Sequence, residues 1–178
     1  IQAPIKNIEN FSHIENLLDR TYAANVNKLD LEIGKIIDSI DGAGLLEETI
    51  IVFFSDNGPV FDIPAIGQVI APGLMEARGS PGKLTGSKMY ASEGGIRVPA
   101  SIWWKGVIEN SKTDQFFFVQ DLLPTLLTAT GIGIDKNIDF DGKNKWDNLL
   151  NGNLELPVND LVANRVINDE RALFNNEW

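Results

Sequence analysis

Glu48-Thr49-Ile50-Ile51-Val52-Phe53-Phe54 runs without a polar break into Ser55-Asp56-Asn57-Gly58-Pro59. The first seven residues are mostly β-branched and aromatic and show no alternation. Such a run predicts a strand covered on both faces, as in the parallel sheet of an α/β protein. The polar turn follows directly at the strand's C-terminal end. In open α/β sheets that edge is where ligands bind.

Upstream, apolar residues recur at helical steps from about Glu15 to Ile40: Tyr22, Val26, Leu29, Ile33, Ile36, Ile37 and Ile40. Asn25, Lys28, Glu32 and Lys35 fill the other face, and Gly42 and Gly44 end the helix. Before it, residues 1 to about 15 read as an irregular lead-in in which Pro4 breaks any early helix. Downstream, Val60 to Ser92 is long, aperiodic and rich in Gly and Pro, as functional loops often are. Gly94-Gly95-Ile96-Arg97-Val98-Pro99 then leads into a second strand, Ala100–Trp104. After a turn and the stretch Gln115–Val119, Asp121-Leu122-Leu123-Pro124-Thr125-Leu126-Leu127 opens a short helix closed by Gly131. Pro124 fits a first helical turn, where its missing N–H costs nothing. The tail from Asp135 is polar, with one weak segment at Trp146–Leu150. A chain of 178 residues is of the size of one domain.

The chain has 178 residues, 43% of them apolar, enough for a real core. With 15 Lys+Arg against 25 Asp+Glu the net charge is −10. No basic stripe is available to neutralise phosphates, which argues against nucleic acid as a partner, and the acidic balance argues against an anionic membrane surface. No apolar run approaches the ~20 residues that span a bilayer. The N-terminal residues IQAPIKNIEN carry no signal-peptide pattern. Cysteine is absent, which removes disulfides, thiolate metal sites and cysteine nucleophiles together. The one N-x-S/T match, Asn10-Phe11-Ser12, matters only in a secreted eukaryotic protein.

Several residues have the chemistry of a site. Asp56 and Asn57 offer hard oxygens of the type Ca²⁺ and Mg²⁺ prefer, although Asp, Asn and Gly after a strand are also ordinary turn residues. Two ligands fall short of the ~6–8 oxygens of a Ca²⁺ shell. Lys88, in Leu84-Thr85-Gly86-Ser87-Lys88, presents an ammonium to an anion or to solvent. The segment does not satisfy the Walker pattern. His13, the single histidine, reads as a surface or capping residue, and zinc is disfavoured without partners for it. Trp103 and Trp104 read as packing residues. Glu93, Arg97 and Asp121 are candidates for an ion pair.

The order of the pieces says more than any one of them. Tyr22-Ala23-Ala24-Asn25-Val26-Asn27-Lys28-Leu29-Asp30 with Gly34 precedes the strand ending in Ser55-Asp56-Asn57-Gly58. Lys88, Glu93-Gly94-Gly95-Ile96-Arg97-Val98-Pro99, Asp121-Leu122-Leu123-Pro124-Thr125-Leu126 and Asp141-Gly142-Lys143-Asn144 follow. Together these resemble the type I sulfatases, the arylsulfatase family of the alkaline-phosphatase-like superfamily. Gly142-Lys143-Asn144-Lys145-Trp146 is most similar to the arylsulfatase B-like branch. The resemblance runs from about Ile1 to Leu150.

The resemblance implies an α/β fold, a partial alkaline-phosphatase-like mixed sheet flanked by helices, with residues 1–134 as the C-terminal part of the catalytic domain and 135–178 as the start of a small C-terminal subdomain. It implies that Asp56 and Asn57 complete a Ca²⁺ site and that Lys88 contacts the sulfate of a sulfate ester, such as a sulfated sugar. Glu93-Gly94-Gly95 is then a packing and turn element, and Val60–Gly82 a specificity loop. A secreted, periplasmic or lysosomal location also follows by resemblance alone. The departures are equally specific. Sulfatases make a formylglycine nucleophile from the first residue of [Cys/Ser]-x-Pro-x-Arg, and here no serine has proline two residues later. The family's Asp-Asp metal pair and catalytic histidines are missing too. Ile1-Gln2-Ala3-Pro4 is similar to the sequence just after a family histidine. The expectation is a C-terminal piece of a sulfatase, inactive alone, with the missing N-terminal half as a partner. Two readings stay open beside it: a degenerate, non-catalytic binding or assembly module, and a phosphatase or phosphonate hydrolase of the same superfamily.

Overall fold

The structure is a computed structural model that describes residues 3–60, 79–112, 116–133, 135 and 137–151, and the backbone of 161–165 and 170–174. Most of the Val60–Gly82 loop and the first residue of Gln115–Val119 lie outside the described residues. Two compact units are present, Ile1–Trp104 with Arg165–Glu170, and Lys105–Asn164 with Arg171–Trp178.

In the first unit, α1 (Ile5–Glu9) leads to α2 (Leu17–Gly42), then β1 (Ile50–Phe54), α3 (Glu93–Ile96) and β2 (Ala100–Trp104). The lead-in expectation is corrected by α1. Pro4 stands at its N-cap with φ −57°, where a fixed φ and a missing N–H start a helix rather than break one. Asn16 caps α2, its Oδ1 accepting from the N–H groups of Leu18 at 2.9 Å and Asp19 at 3.2 Å. The helix ends as its glycines require: Gly44 takes φ +72° and donates to Asp41 O at 2.8 Å.

Only Ala24 of α2 is buried, and Val26 and Ile36 of its apolar stripe are 49% and 61% exposed. On the polar face, Glu32 accepts from both Lys28 and Lys35, the latter at 2.8 Å. These bonds, Lys28's first, pull its carboxyl from the ordinary 4.5 to about 2. A depressed carboxylate adds stability above pH 4.5 that is lost as pH falls toward 2. An NMR titration of the Glu32 carboxyl is expected to give that low midpoint. Lys28→Ala or high salt should move it back up, because the pair is solvent-accessible and screened.

β1 and β2 form a two-stranded sheet. They pair antiparallel, from Ile50 opposite Trp104 to Phe54 opposite Ala100. This corrects the expectation of a parallel strand covered on both faces: Phe53 and Phe54 are 41% and 44% exposed. The indole of Trp104 donates to Glu47 O at 2.7 Å and fastens β2 to the turn before β1.

The second unit holds α4 (Leu122–Ala129) and α5 (Trp146–Asn151). Pro124 sits in the first turn of α4, and Gly131 follows its end with φ +67°. At the start of α4, Asp121 is fully buried, and it pairs with buried Lys145 at 2.9 Å. Asp121 also accepts from Phe118 N at 2.9 Å and from Lys143 N at 2.8 Å. Lys145 Nζ donates further to Phe116 O at 2.7 Å and lies 5.5 Å from the centre of the Phe118 ring. Asp121, a candidate for an ion pair, thus has Lys145 as its partner. In the tail read as polar, β3 (Leu161–Arg165) and β4 (Glu170–Phe174) pair in a second two-stranded sheet. No helix among the described residues is long and apolar enough to cross a membrane.

Candidate functional site

The turn after β1 is built by its own polar groups. Ser55 N donates to Pro99 O at 3.3 Å, carrying the strand contact one residue beyond the sheet. Ser55 Oγ then donates to Asn57 O at 3.0 Å and closes the turn. Asn57 Nδ2 donates to Gly58 O at 2.9 Å, which commits the amide nitrogen and leaves Oδ1 as a hard-oxygen acceptor. Asp56 is exposed and Asn57 half-buried.

Backbone contacts that only glycine permits hold this turn against the Lys88 segment. Gly58 N donates to Gly95 O at 2.8 Å, and Gly94 N donates to Thr85 O at 2.7 Å. A Cβ on Gly94 would stand 2.6 Å from Thr85 O and 2.8 Å from Gly86 C. Lys88 N donates to Pro59 O at 2.8 Å, so the Lys88 backbone lies beside the residue two positions past Asn57. Met89 has φ +81°, a left-handed conformation disfavoured for its side chain, immediately after Lys88. Lys88 itself is exposed. Glu93-Gly94-Gly95 is, as expected, a packing element: with Ile96 it forms the four-residue α3, and both glycines are buried.

A cleft of about 610 Å³ opens on this assembly, lined among others by Tyr22, Asn57, Pro59, Leu84, Arg97 and Pro99. Of the sequence candidates it gathers Asn57 and Arg97. Asp56 and Lys88 are not among its described lining residues. Arg97 pairs with Glu93 at 3.6 Å, as two of the three candidates for an ion pair were expected to do. Its place in the cleft was not foreseen. The available sequence signal is its position two residues after the glycine pair, in Gly94-Gly95-Ile96-Arg97. His13 is exposed, 6.1 Å from Phe11 between ring centres, consistent with a surface role.

The donor types at the turn, one carboxylate and one amide oxygen, suit a hard cation such as Ca²⁺. They supply part of a shell: among the described residues no group of three or more His, Cys, Asp or Glu side chains is placed to hold a metal ion.

The sulfatase family model matches residues 5–132. Human arylsulfatase A (Homo sapiens) is 33% identical over 121 residues, covering 68% of this chain and 22% of that protein. Human N-acetylgalactosamine-6-sulfatase is 32% identical over 134 residues, covering 75% of this chain and 24% of that protein. The crystal structure of Ps i-CgsB in complex with k-i-k-neocarrahexaose superposes with a TM-score of 0.74 at 26% identity, over 92% of this chain and 34% of that one. The chain spans between a fifth and a quarter of the length of these two relatives. The α/β, alkaline-phosphatase-like fold class expected from the sequence is the one shared with these proteins. The family model alone accounts for well over half of the residues, and the chain belongs to the sulfatase family.

Proposed function

We propose that this chain serves the hydrolysis of sulfate esters carried on saccharides, contributing cation-holding and sulfate-contacting residues. Family membership supports sulfatase-type hydrolysis. The saccharide class is supported by a structural neighbour that is described in complex with neocarrahexaose. In this reading Asp56 and Asn57 Oδ1 are two oxygen ligands of a Ca²⁺ ion, and the Lys88 ammonium hydrogen-bonds a sulfate oxygen. Bound Ca²⁺ supplies a Lewis acid that polarises the sulfate oxygens. Lys88 offsets negative charge that grows as the S–O bond to the leaving alcohol lengthens. The formylglycine nucleophile belongs to another part of the family's domain, since residues 1–178 contain no [Cys/Ser]-x-Pro-x-Arg.

The observation that carries the reading is the hydrogen bond from Lys88 N to Pro59 O at 2.8 Å, which couples the lysine's backbone to the Asp56–Asn57 turn. Calorimetric titration with Ca²⁺ and NMR titration with inorganic sulfate test it. Asp56→Ala is expected to weaken Ca²⁺ binding about tenfold or more, as loss of the sole carboxylate ligand at the turn implies. Lys88→Ala is expected to leave Ca²⁺ binding in place and remove the sulfate-dependent shifts. Equal Ca²⁺ affinity in wild type and Asp56→Ala sinks the cation assignment. Unchanged sulfate shifts in Lys88→Ala sink the lysine assignment.

A further inference from the structure

We propose that Arg97 is a specificity-determining residue that binds a second anionic group of the saccharide, distinct from the sulfate ester that is cleaved. The inference rests on the sulfated-saccharide reading above and names what else the substrate carries.

The cleft of about 610 Å³ is of a size that takes small ligands. Its described lining is otherwise neutral: Tyr22, Asn57, prolines, serines and aliphatic residues surround Arg97, the one charged side chain there. Among the described lining residues the Arg97 guanidinium is the positive group that an anionic ligand in the cleft would meet. The guanidinium has donors to give. Its partner Glu93 stands at 3.6 Å, longer than a good hydrogen bond, and the two side chains are 51% and 40% exposed. A guanidinium carries five N–H donors in a planar fork that matches sulfate or carboxylate oxygens.

The position of Arg97 is also fixed. Its backbone N donates to Glu93 O at 2.8 Å, and the preceding glycines are clamped by Gly58 and Thr85. Asn57 lines the same cleft, so a ligand held there reaches toward the turn proposed to hold the cation. Lys88 does not line it. The two cations therefore serve two different anionic groups. Tyr22, 44% exposed, lines the same cleft and offers a ring and a hydroxyl, the chemistry that suits a sugar.

Three disaccharide probes test this by calorimetry on the 178-residue chain with Ca²⁺ present: one with a single sulfate, one with two, and one with a sulfate and a uronate carboxylate. Wild type is expected to bind at least one dianionic probe about tenfold or more tighter than the monosulfated one. A gain with the second sulfate alone identifies a sulfate there, and equal gains identify any forked oxyanion. Arg97→Gln should erase the preference while keeping the monosulfated affinity, and Arg97→Lys should restore part of it. Glu93→Gln, which removes the ion pair but keeps the guanidinium, should retain the preference. The proposal is overturned if Arg97→Gln keeps the preference, or if Glu93→Gln loses it as fully as Arg97→Gln, the mark of a merely structural pair. Lys88→Ala separates the two readings. A dianionic preference that survives with unchanged monosulfated affinity sinks the lysine assignment and leaves Arg97 in place. Failure of every probe to bind below about 10 mM overturns both.

Discussion

Lys145→Met is expected to destabilise the second unit by about 3–5 kcal/mol, because it leaves the Asp121 carboxylate buried without its cation. The size follows from how little water reaches the pair, whose side chains are 2% and 1% exposed. The same substitution also removes the donor to Phe116 O and the cation beside the Phe118 ring. Asp121→Leu should cost at least as much, since it orphans the buried Phe118 N–H and the Lys143 N–H together with the ammonium. Combining Lys145→Met with Asp121→Asn should recover much of the loss. The amide oxygen still accepts from one backbone N–H, and no uncompensated charge remains. Urea unfolding of wild type, Lys145→Met, Asp121→Asn and the double variant, followed by circular dichroism, measures the coupling. Additive losses in the double variant would show that the two charges act independently.

The elements read correctly from the sequence are those whose signal is local. The period of α2, the β-branched and aromatic run of β1, the Ile102-Trp103-Trp104 of β2, and Pro124 with Gly131 around α4 are each read from neighbouring residues alone. What failed depended on partners. Continuous apolar character predicted a parallel strand covered on both faces, but which strand pairs with β1, and in which direction, is decided by a segment beginning at Ala100. Pro4 reads as a breaker in isolation, although at an N-cap the same ring favours a helix. Lys145 gave no sign of burial, because a lysine can be buried only where a carboxylate and a carbonyl meet it, and those come from Asp121 and Phe116. The candidate site divides in the same way. Asp56 and Asn57 are candidates by their place at a strand end, which a short window of sequence shows. The role given to Arg97 depends on a cleft that exists only after Gly58, Gly94 and Gly95 have packed.

Gly58→Ala should disrupt both that packing and the proposed binding chemistry. A methyl group at this position would collide with the Gly94 carbonyl oxygen and stand 2.9 Å from Gly94 C and 3.0 Å from Gly95 C. All three are backbone atoms, so no rotamer change relieves the overlap. The Gly58 N–H bond to Gly95 O at 2.8 Å lies in the same contact and must lengthen with it. Overpacking of this kind costs about 1–3 kcal/mol, and the strained hydrogen bond adds about 1 kcal/mol more. Gly34→Ala is the control. Nothing lies within 4 Å of a Cβ there, in the middle of α2, so that substitution should stabilise the chain by about 0.5–1 kcal/mol. The binding readout separates a local effect from general loss of stability. Moving Gly58 shifts Asn57 on one side and Pro59, the acceptor for Lys88 N, on the other. Under conditions where Gly58→Ala remains folded by circular dichroism, both Ca²⁺ affinity and sulfate-dependent shifts should fall, whereas Gly34→Ala keeps both. Wild-type binding in a folded Gly58→Ala variant would mean that the turn and the Lys88 segment do not act as one unit.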